Sequence, residues 1–170
     1  MIVDSNGKLD IYREALVLYK NLLQNNIEEY LGLPRDVVQI RDSTNKQTTK
    51  APLIVIGRSS LTDYIKTIPQ DQIVANATGD SFATTCMLLD YPIRFDAFGN
   101  TYLESDRLST FCLDIFISTS VSVVRSYGDW ILSAMLQSWS EPTHAEQDSS
   151  IIVSSVTGLL RMQISTSYKL

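Results

Sequence analysis

Histidine occurs once in 170 residues and cysteine only twice, and that scarcity removes most metal chemistry. Structural zinc sites need four Cys or His ligands at short spacings, whereas Cys86 and Cys112 stand 26 positions apart and His144 is alone. His144-Ala145-Glu146 matches the H-x-E half of a zinc-deaminase signature, but the P-C-x-x-C half is missing. Gly57-Arg58-Ser59 begins like a nucleophile elbow and then places Leu61 where the second glycine belongs. No Gly-rich phosphate loop or dinucleotide fingerprint occurs. The carboxylates Asp80, Asp90, Asp96, Glu104, Asp106 and Asp114 have no Glu-x-Lys partner of the kind found on nuclease strands, so they read as solvated acids. Asp114 is the exception, expected mid-strand and facing water, a partner or an arginine. Neither a metal nor a cofactor is implied.

Positive charge is also short. Formal net charge is −5, which argues against a dedicated nucleic-acid binder while allowing a wall along which DNA slides. No apolar run reaches the roughly 18 residues of a membrane span, so no membrane partner is expected. Residues 1–10 are polar, without the apolar core of a secretory signal, and the expectation is a soluble protein made inside a cell. Both cysteines fall in strand-like runs and read as buried thiols.

Hydrophobic residues make up 44% of the chain, enough for one domain with a real core. Residues 1–9 read as a loose arm. Asp10 can cap a helix over Ile11–Leu31, where Tyr12, Ala15, Leu16, Tyr19, Leu22, Leu23, Ile27 and Tyr30 form a stripe at spacings of three and four. Gly32 and Pro34 stop it. Residues 37–41 read as a short strand, 42–50 as a polar exposed loop, and 53–56 as a central strand that Pro52 starts. Residues 58–72 fit a helix or a loop, and 73–76 a strand. Residues 82–98 form the longest β-like stretch, with a bend or an edge expected at Pro92 and a turn at Phe98-Gly99-Asn100.

Residues 109–117 alternate Phe111, Leu113, Ile115 and Ile117 with Cys112, Asp114 and Phe116, which reads as a strand. Hydroxyls at 118–122 then offer caps for a helix whose stripe is Val121, Val124, Gly128, Ile131, Leu132, Met135 and Trp139. Residues 82–98 and 102–117 would pair as a long hairpin. Residues 140–150 form a second polar loop. Strands at 151–156 and 160–168 flank a tight turn at Thr157-Gly158. The fold class is therefore α+β: a mainly antiparallel sheet, two helices on one face, and an extended β-hairpin arm in the middle of one domain spanning 1–170, with 58–101 as the arm.

Aromatic residues crowd the bent hairpin. Tyr91, Phe95, Phe98 and Tyr102 lie there with Arg94 and Arg107, a composition that suits subunit contacts and equally suits a small apolar cluster under a loop.

This order of elements resembles the tail terminator and neck-completion proteins of long-tailed bacteriophages. The likeness is carried by the Ile11–Leu31 helix, the strand Ala51-Pro52-Leu53-Ile54-Val55-Ile56 after a polar loop, the run Phe111-Cys112-Leu113-Asp114-Ile115-Phe116-Ile117 leading into a helix that ends near Trp139, and the closing strand from Leu160 to Tyr168. Residues 58–101 depart from it by being longer. The resemblance implies a non-enzymatic virion protein of the tail–neck region, assembled in the host bacterial cytoplasm. It implies a ring, typically a hexamer, at the head-proximal end of the tail tube, which stops tube growth and meets the neck and connector proteins. DNA would pass through the channel without specific binding. On that reading Tyr91, Arg94, Phe95, Phe98, Tyr102 and Arg107 make subunit contacts, and Asn45, Lys46, Lys50, His144 and Glu146 make axial contacts with neighbouring rings. A tail tube or baseplate component is the alternative. A small hydrolase or nuclease and a ligand-binding or regulatory domain stand further off.

Overall fold

A computed structural model describes residues 11–41, 50–59, 64–75, 81–128, 130–146 and 148–169. The expected arm at 1–9, the cap Asp10, Asp80 and most of the first polar loop, with Asn45 and Lys46, lie outside the described residues.

The chain is α+β. Helix α1 (Ile11–Leu31) leads through a 3₁₀ turn at Arg35–Val37 to β1 (Val38–Ile40), β2 (Leu53–Arg58), β3 (Tyr64–Ala75) and β4 (Ser81–Gly99). Helix α2 (Tyr102–Ser126) precedes β5 (Ile131–Trp139), β6 (Thr143–His144) and β7 (Ile152–Lys169). All the described strands join one sheet, ordered β1-β2-β4-β7-β5, with β3 on β4 and β6 on β7. Only the β1–β2 pair is parallel among the described ladders.

Two long central strands organise everything. β4 and β7 pair continuously from Phe82↔Lys169 to Gly99↔Ile152. Each outer edge of this ribbon is shared by two shorter strands. β2 takes residues 93–98 of β4 and β3 takes 81–90. Pro92 sits at the changeover. Its carbonyl accepts from Ser59 N on the β2 side (3.0 Å), so its missing N–H also faces that gap and removes no ladder bond. The bend or edge expected at Pro92 is in fact this junction.

Both helices cover the same face. Phe95 on β4 meets Tyr19 of α1 (centroids 5.7 Å apart) and Phe116 of α2 (5.9 Å). Odd-numbered β4 residues from Leu89 to Ala97 therefore point into the core, with Ile54 and Ile56 of β2 and Val156, Leu160 and Met162 of β7. In α1 the positions fully removed from water are Ala15, Tyr19, Leu23 and Ile27, one face at a spacing of four. Gly32 ends α1 as expected: its φ is +67° and its N–H bonds the Glu28 carbonyl at 2.9 Å.

Residues 109–117 are not a strand but the middle of α2. Its buried positions Ser105, Leu108, Ser109, Phe111, Cys112, Ile115, Phe116 and Val123 follow three-and-four spacing, while Asp114 and Ile117 face out. Six of the seven residues from Phe111 to Ile117 are apolar, so both periods fit the sequence. The signal that separates them is upstream. Thr101 Oγ1 accepts from Glu104 N (3.1 Å), and Glu104 reaches back to Asn100 N (2.6 Å), a variant of the capping box. Gly99 lets this helix start against the sheet: a Cβ there would lie 2.4 Å from Ser105 N.

Residues 118–139 are correspondingly not one helix. α2 ends at Ser126, and Trp130 and Ile131 turn back by bonding the Tyr127 carbonyl. β5 then pairs with β7, so β4 pairs with β7 rather than with 102–117. Nor is there a turn at Thr157-Gly158, because β7 runs straight through. Gly158 is glycine for a different reason. Phe116 sits over it, and a Cβ would meet the ring tip at 2.3 Å.

Candidate functional site

The sheet face away from the helices carries a charged network. On β4, Arg94, Asp96 and Phe98 alternate with core positions and so share this open face. Asp96 is only 5% exposed. Arg94 Nε donates to its Oδ1 at 2.6 Å, Ser155 Oγ, directly across on β7, donates to the same oxygen at 2.6 Å, and Arg41 reaches Oδ2 at 3.2 Å. Arg94 also donates to Ser155 Oγ at 3.0 Å. With both oxygens held by donors, Asp96 is a fixed acceptor that ties β4 and β7 to the segment just after β1 rather than a free base. A second cross-strand pair lies further along: Arg161 grips Asp90 through two bonds of 2.7 and 2.9 Å. Asp90 holds the Arg161 guanidinium above its ordinary value.

The loop after β5 folds over one end of this face. Thr143 and His144 pair with Val153 and Ile152 as β6. A recess of about 270 Å³ forms beneath, lined by Arg41, Arg94, Asp96, Phe98, Glu146 and Ile151. His144 pins the loop to α2. Its Nδ1 faces the Ser149 carbonyl (2.7 Å), which can only accept, so in the neutral ring Nδ1 carries the proton and Nε2 accepts from the Tyr102 hydroxyl at 3.0 Å. Asp148 closes the loop by accepting from Ser150 N and Oγ, which holds its carboxyl below the usual aspartate value.

The expected site residues therefore divide. Tyr91 and Phe95, expected at subunit contacts, are core residues, 2% and 1% exposed, because odd positions of β4 face the helices. Arg94 and Phe98 are on the open face and share the recess with Glu146. Tyr102 and His144, assigned to different contacts, bond each other. Arg107 and Lys50 are exposed. Cys112 lies in a helix rather than a strand and is buried as a free thiol, with burial raising its pKa. Among the described residues no group of three His, Cys, Asp or Glu is placed to hold a metal ion.

Two surface features went unread in the sequence. One is β5, whose Leu132, Met135, Leu136 and Trp139 are exposed, with Met135 and Leu136 on opposite faces of the sheet. The other is a pair of adjoining grooves between α1 and α2, about 260 and 450 Å³, where Tyr30, Leu31, Leu33, Leu103 and Phe111 mix with the charged Glu104, Asp106, Arg107 and Asp114. β5 was hidden by its own composition, since its apolar spacing also suits a helix. The grooves exist only once α1 lies beside α2.

No family model matches the chain, and no curated protein matches it. Among solved structures it is similar to a chain of the virion of a native gene transfer agent particle, at 8% identity and a TM-score of 0.46, over 89% of this chain and 94% of that one. At that level the likeness fixes neither family nor function.

Proposed function

We propose that this chain is a non-enzymatic structural subunit of a phage or phage-like virion, forming a ring at the head-proximal end of a tail tube, where it ends tube growth and meets the neck. One observation carries the assembly part of this reading, and it is the length of the β4–β7 ribbon. Its registered pairing spans roughly 60 Å at 3.3–3.4 Å per residue. A compact domain of this size is about 40 Å across by the scaling of its radius of gyration. Helices α1 and α2, of 21 and 25 residues, reach only about 31 and 37 Å. The far half of the ribbon, joined by β3, is an arm. β3 packs on β4 and on neither helix to any comparable extent. An arm that reaches past both helices suits a subunit that contacts a neighbour, and contacts of that kind close into a ring when the rotation allows. The tail–neck position rests on what remains of the resemblance, the Ile11–Leu31 helix, the strand after the polar loop and the closing strand, since residues 111–139 are a helix followed by a strand and not the reverse.

The test is the mass of the full-length protein by light scattering, with negative-stain images before and after mixing with isolated tail tubes. A single closed ring that caps one tube end supports the reading. Open-ended tubes of this protein alone would point to a tube or baseplate component. A monomer that leaves tubes uncapped would overturn the proposal.

A further inference from the structure

Beyond Met162 the sheet narrows to three strands. β5 starts at Ile131, level with Met162, so past Gln163 the flank of β7 away from β4 meets no strand among the described residues. On the other flank β3 pairs with β4, and its own outer edge is also unpaired among the described residues. The arm is a ribbon of β3, β4 and β7, in register at Ile68, Cys86 and Ser165 and again at Val74, Phe82 and Lys169, with an open edge on each side. An open edge presents a row of unpaired N–H and C=O groups, and folded chains blunt, cover or pair it.

Which backbone groups face out follows from the alternation of an antiparallel ladder. Gln163 N donates away from β4, to the Trp130 carbonyl at 2.8 Å. β7 pairs with β4 without a register shift, so Ser165, Ser167 and Lys169 also turn their backbone outward. Even residues of β4 turn theirs toward β3, as the Pro92 carbonyl does in accepting from Ser59 N on that side at 3.0 Å. Lys66 and Ile68 oppose Leu88 and Cys86, so they bond inward and leave the backbone of Ile65 and Thr67 facing out. Pro69 comes next, at an outward position where its missing N–H costs no bond within the chain. The register shifts between Ile68 and Gln72, which divides this edge into 64–68 and 72–75. The open edge of β7 over 165–169 has neither proline nor shift, and it matches 64–68 in length.

Strand direction selects the occupant. β3 and β7 each run antiparallel to β4 and therefore parallel to each other. A second copy set beside the arm in the same orientation brings its β3 to β7 as a parallel pair. A copy turned by a two-fold axis brings β7 to β7 and leaves both β3 edges open. One unturned contact, repeated round a ring, pairs every arm edge, whereas turned copies need two different contacts to do so. We propose that residues 165–169 of β7 pair in parallel with residues 64–68 of β3 from the next copy, so that the arms join into one closed sheet. Within a chain Tyr64 is level with Arg161 rather than with Ser165, and that offset supplies the stagger a closed sheet requires. This assignment rests on the ring reading and names the subunit contact that closes it.

Amide hydrogen exchange of the wild-type ring, alone or on its tube, tests it when read by mass spectrometry at residue resolution. The amides of Ser167, Ile65 and Thr67 should exchange roughly 100-fold more slowly in the ring than in the monomer obtained by dilution. The double variant Ser165→Pro/Ser167→Pro removes two outward donors and no bond to β4. Its circular dichroism should match wild type while its light-scattering mass falls from ring to monomer, and the exchange result stands whether or not this variant folds. Rings whose three amides exchange freely, or rings that persist in the double variant, would overturn the contact and leave the ring reading standing. Slowing confined to β7 would overturn the head-to-tail geometry in favour of a two-fold pair. Slowing that persists in the monomer would overturn the proposal by showing that the chain covers its own edges. A wild-type protein that stays monomeric and caps no tube would overturn both readings.

Discussion

Gly158→Ala is the sharpest test of the core. Alanine is ordinarily welcome in a strand, where glycine costs roughly 0.5–1 kcal/mol relative to it. Here the new methyl would meet Phe116 Cζ at 2.3 Å, Cε2 at 2.6 Å and Cε1 at 2.9 Å, against the usual 3.5–4.0 Å between carbons. Phe116 is 1% exposed and cannot retreat, since Tyr19 stacks on it at 5.4 Å and Phe95 meets it edge-on at 5.9 Å. Overpacking of this kind costs up to about 3 kcal/mol, so the net loss should be about 2 kcal/mol. For a chain of this length that lowers Tm by about 4–8 °C. The control is Phe116→Leu, which deletes all three clashing atoms. In that background Gly158→Ala should be neutral or stabilising, and the double-mutant cycle should show about 2 kcal/mol of coupling. A glycine needed for a tight turn would behave otherwise, because the penalty would not depend on residue 116. An unchanged Tm for Gly158→Ala, or the same loss in both backgrounds, would refute the packing of Phe116 on β7.

Thr101→Ala should remove the cap of α2 and cost about 1 kcal/mol in chemical denaturation, whereas Thr101→Ser should retain most of it, because a hydroxyl still accepts from Glu104 N. Asp148 should titrate below an ordinary aspartate in a carboxylate NMR titration, and Ser150→Ala should bring it back toward that value. Its folded pKa is depressed, so its contribution to stability is complete above the unfolded value of about 3.9 and is lost as pH falls through the lower folded one. A titration at the ordinary value in both proteins would show that the Ser150 hydrogen bonds do not form in solution.

How much of this was legible beforehand depended on whether local signals were unique. The Ile11–Leu31 helix was, because its stripe, Gly32 and Pro34 agree with one another. The β2 strand was, because Leu53–Ile56 is apolar on both faces. The α+β class and the shared helical face followed from these and from the long β4 run. Residues 109–139 were not legible. Phe111–Ile117 satisfies both periods, and the apolar spacing of β5 suits a helix as well as a strand, so only the cap at Thr101 and the pairing with β7 separate them. Of the expected site, Arg94, Phe98, Tyr102, Arg107, Lys50, His144 and Glu146 are surface or recess groups, whereas the parity of β4 sends Tyr91 and Phe95 inward.

What the sequence determined alone was therefore local and compositional: where a helix must stop, which runs are too apolar to be wet, and that His- and Cys-dependent metal chemistry has few residues to draw on. What only the tertiary structure decided was partnership. β4 pairs with β7 from the far end of the chain. Gly158 and Gly99 serve rings and backbone distant in sequence. Asp96 collects Arg94 from its own strand, Ser155 from β7 and Arg41 from just beyond β1. The physical reason is that a strand's edge bonds and a side chain's cover come from residues far away in the chain, which no local period encodes.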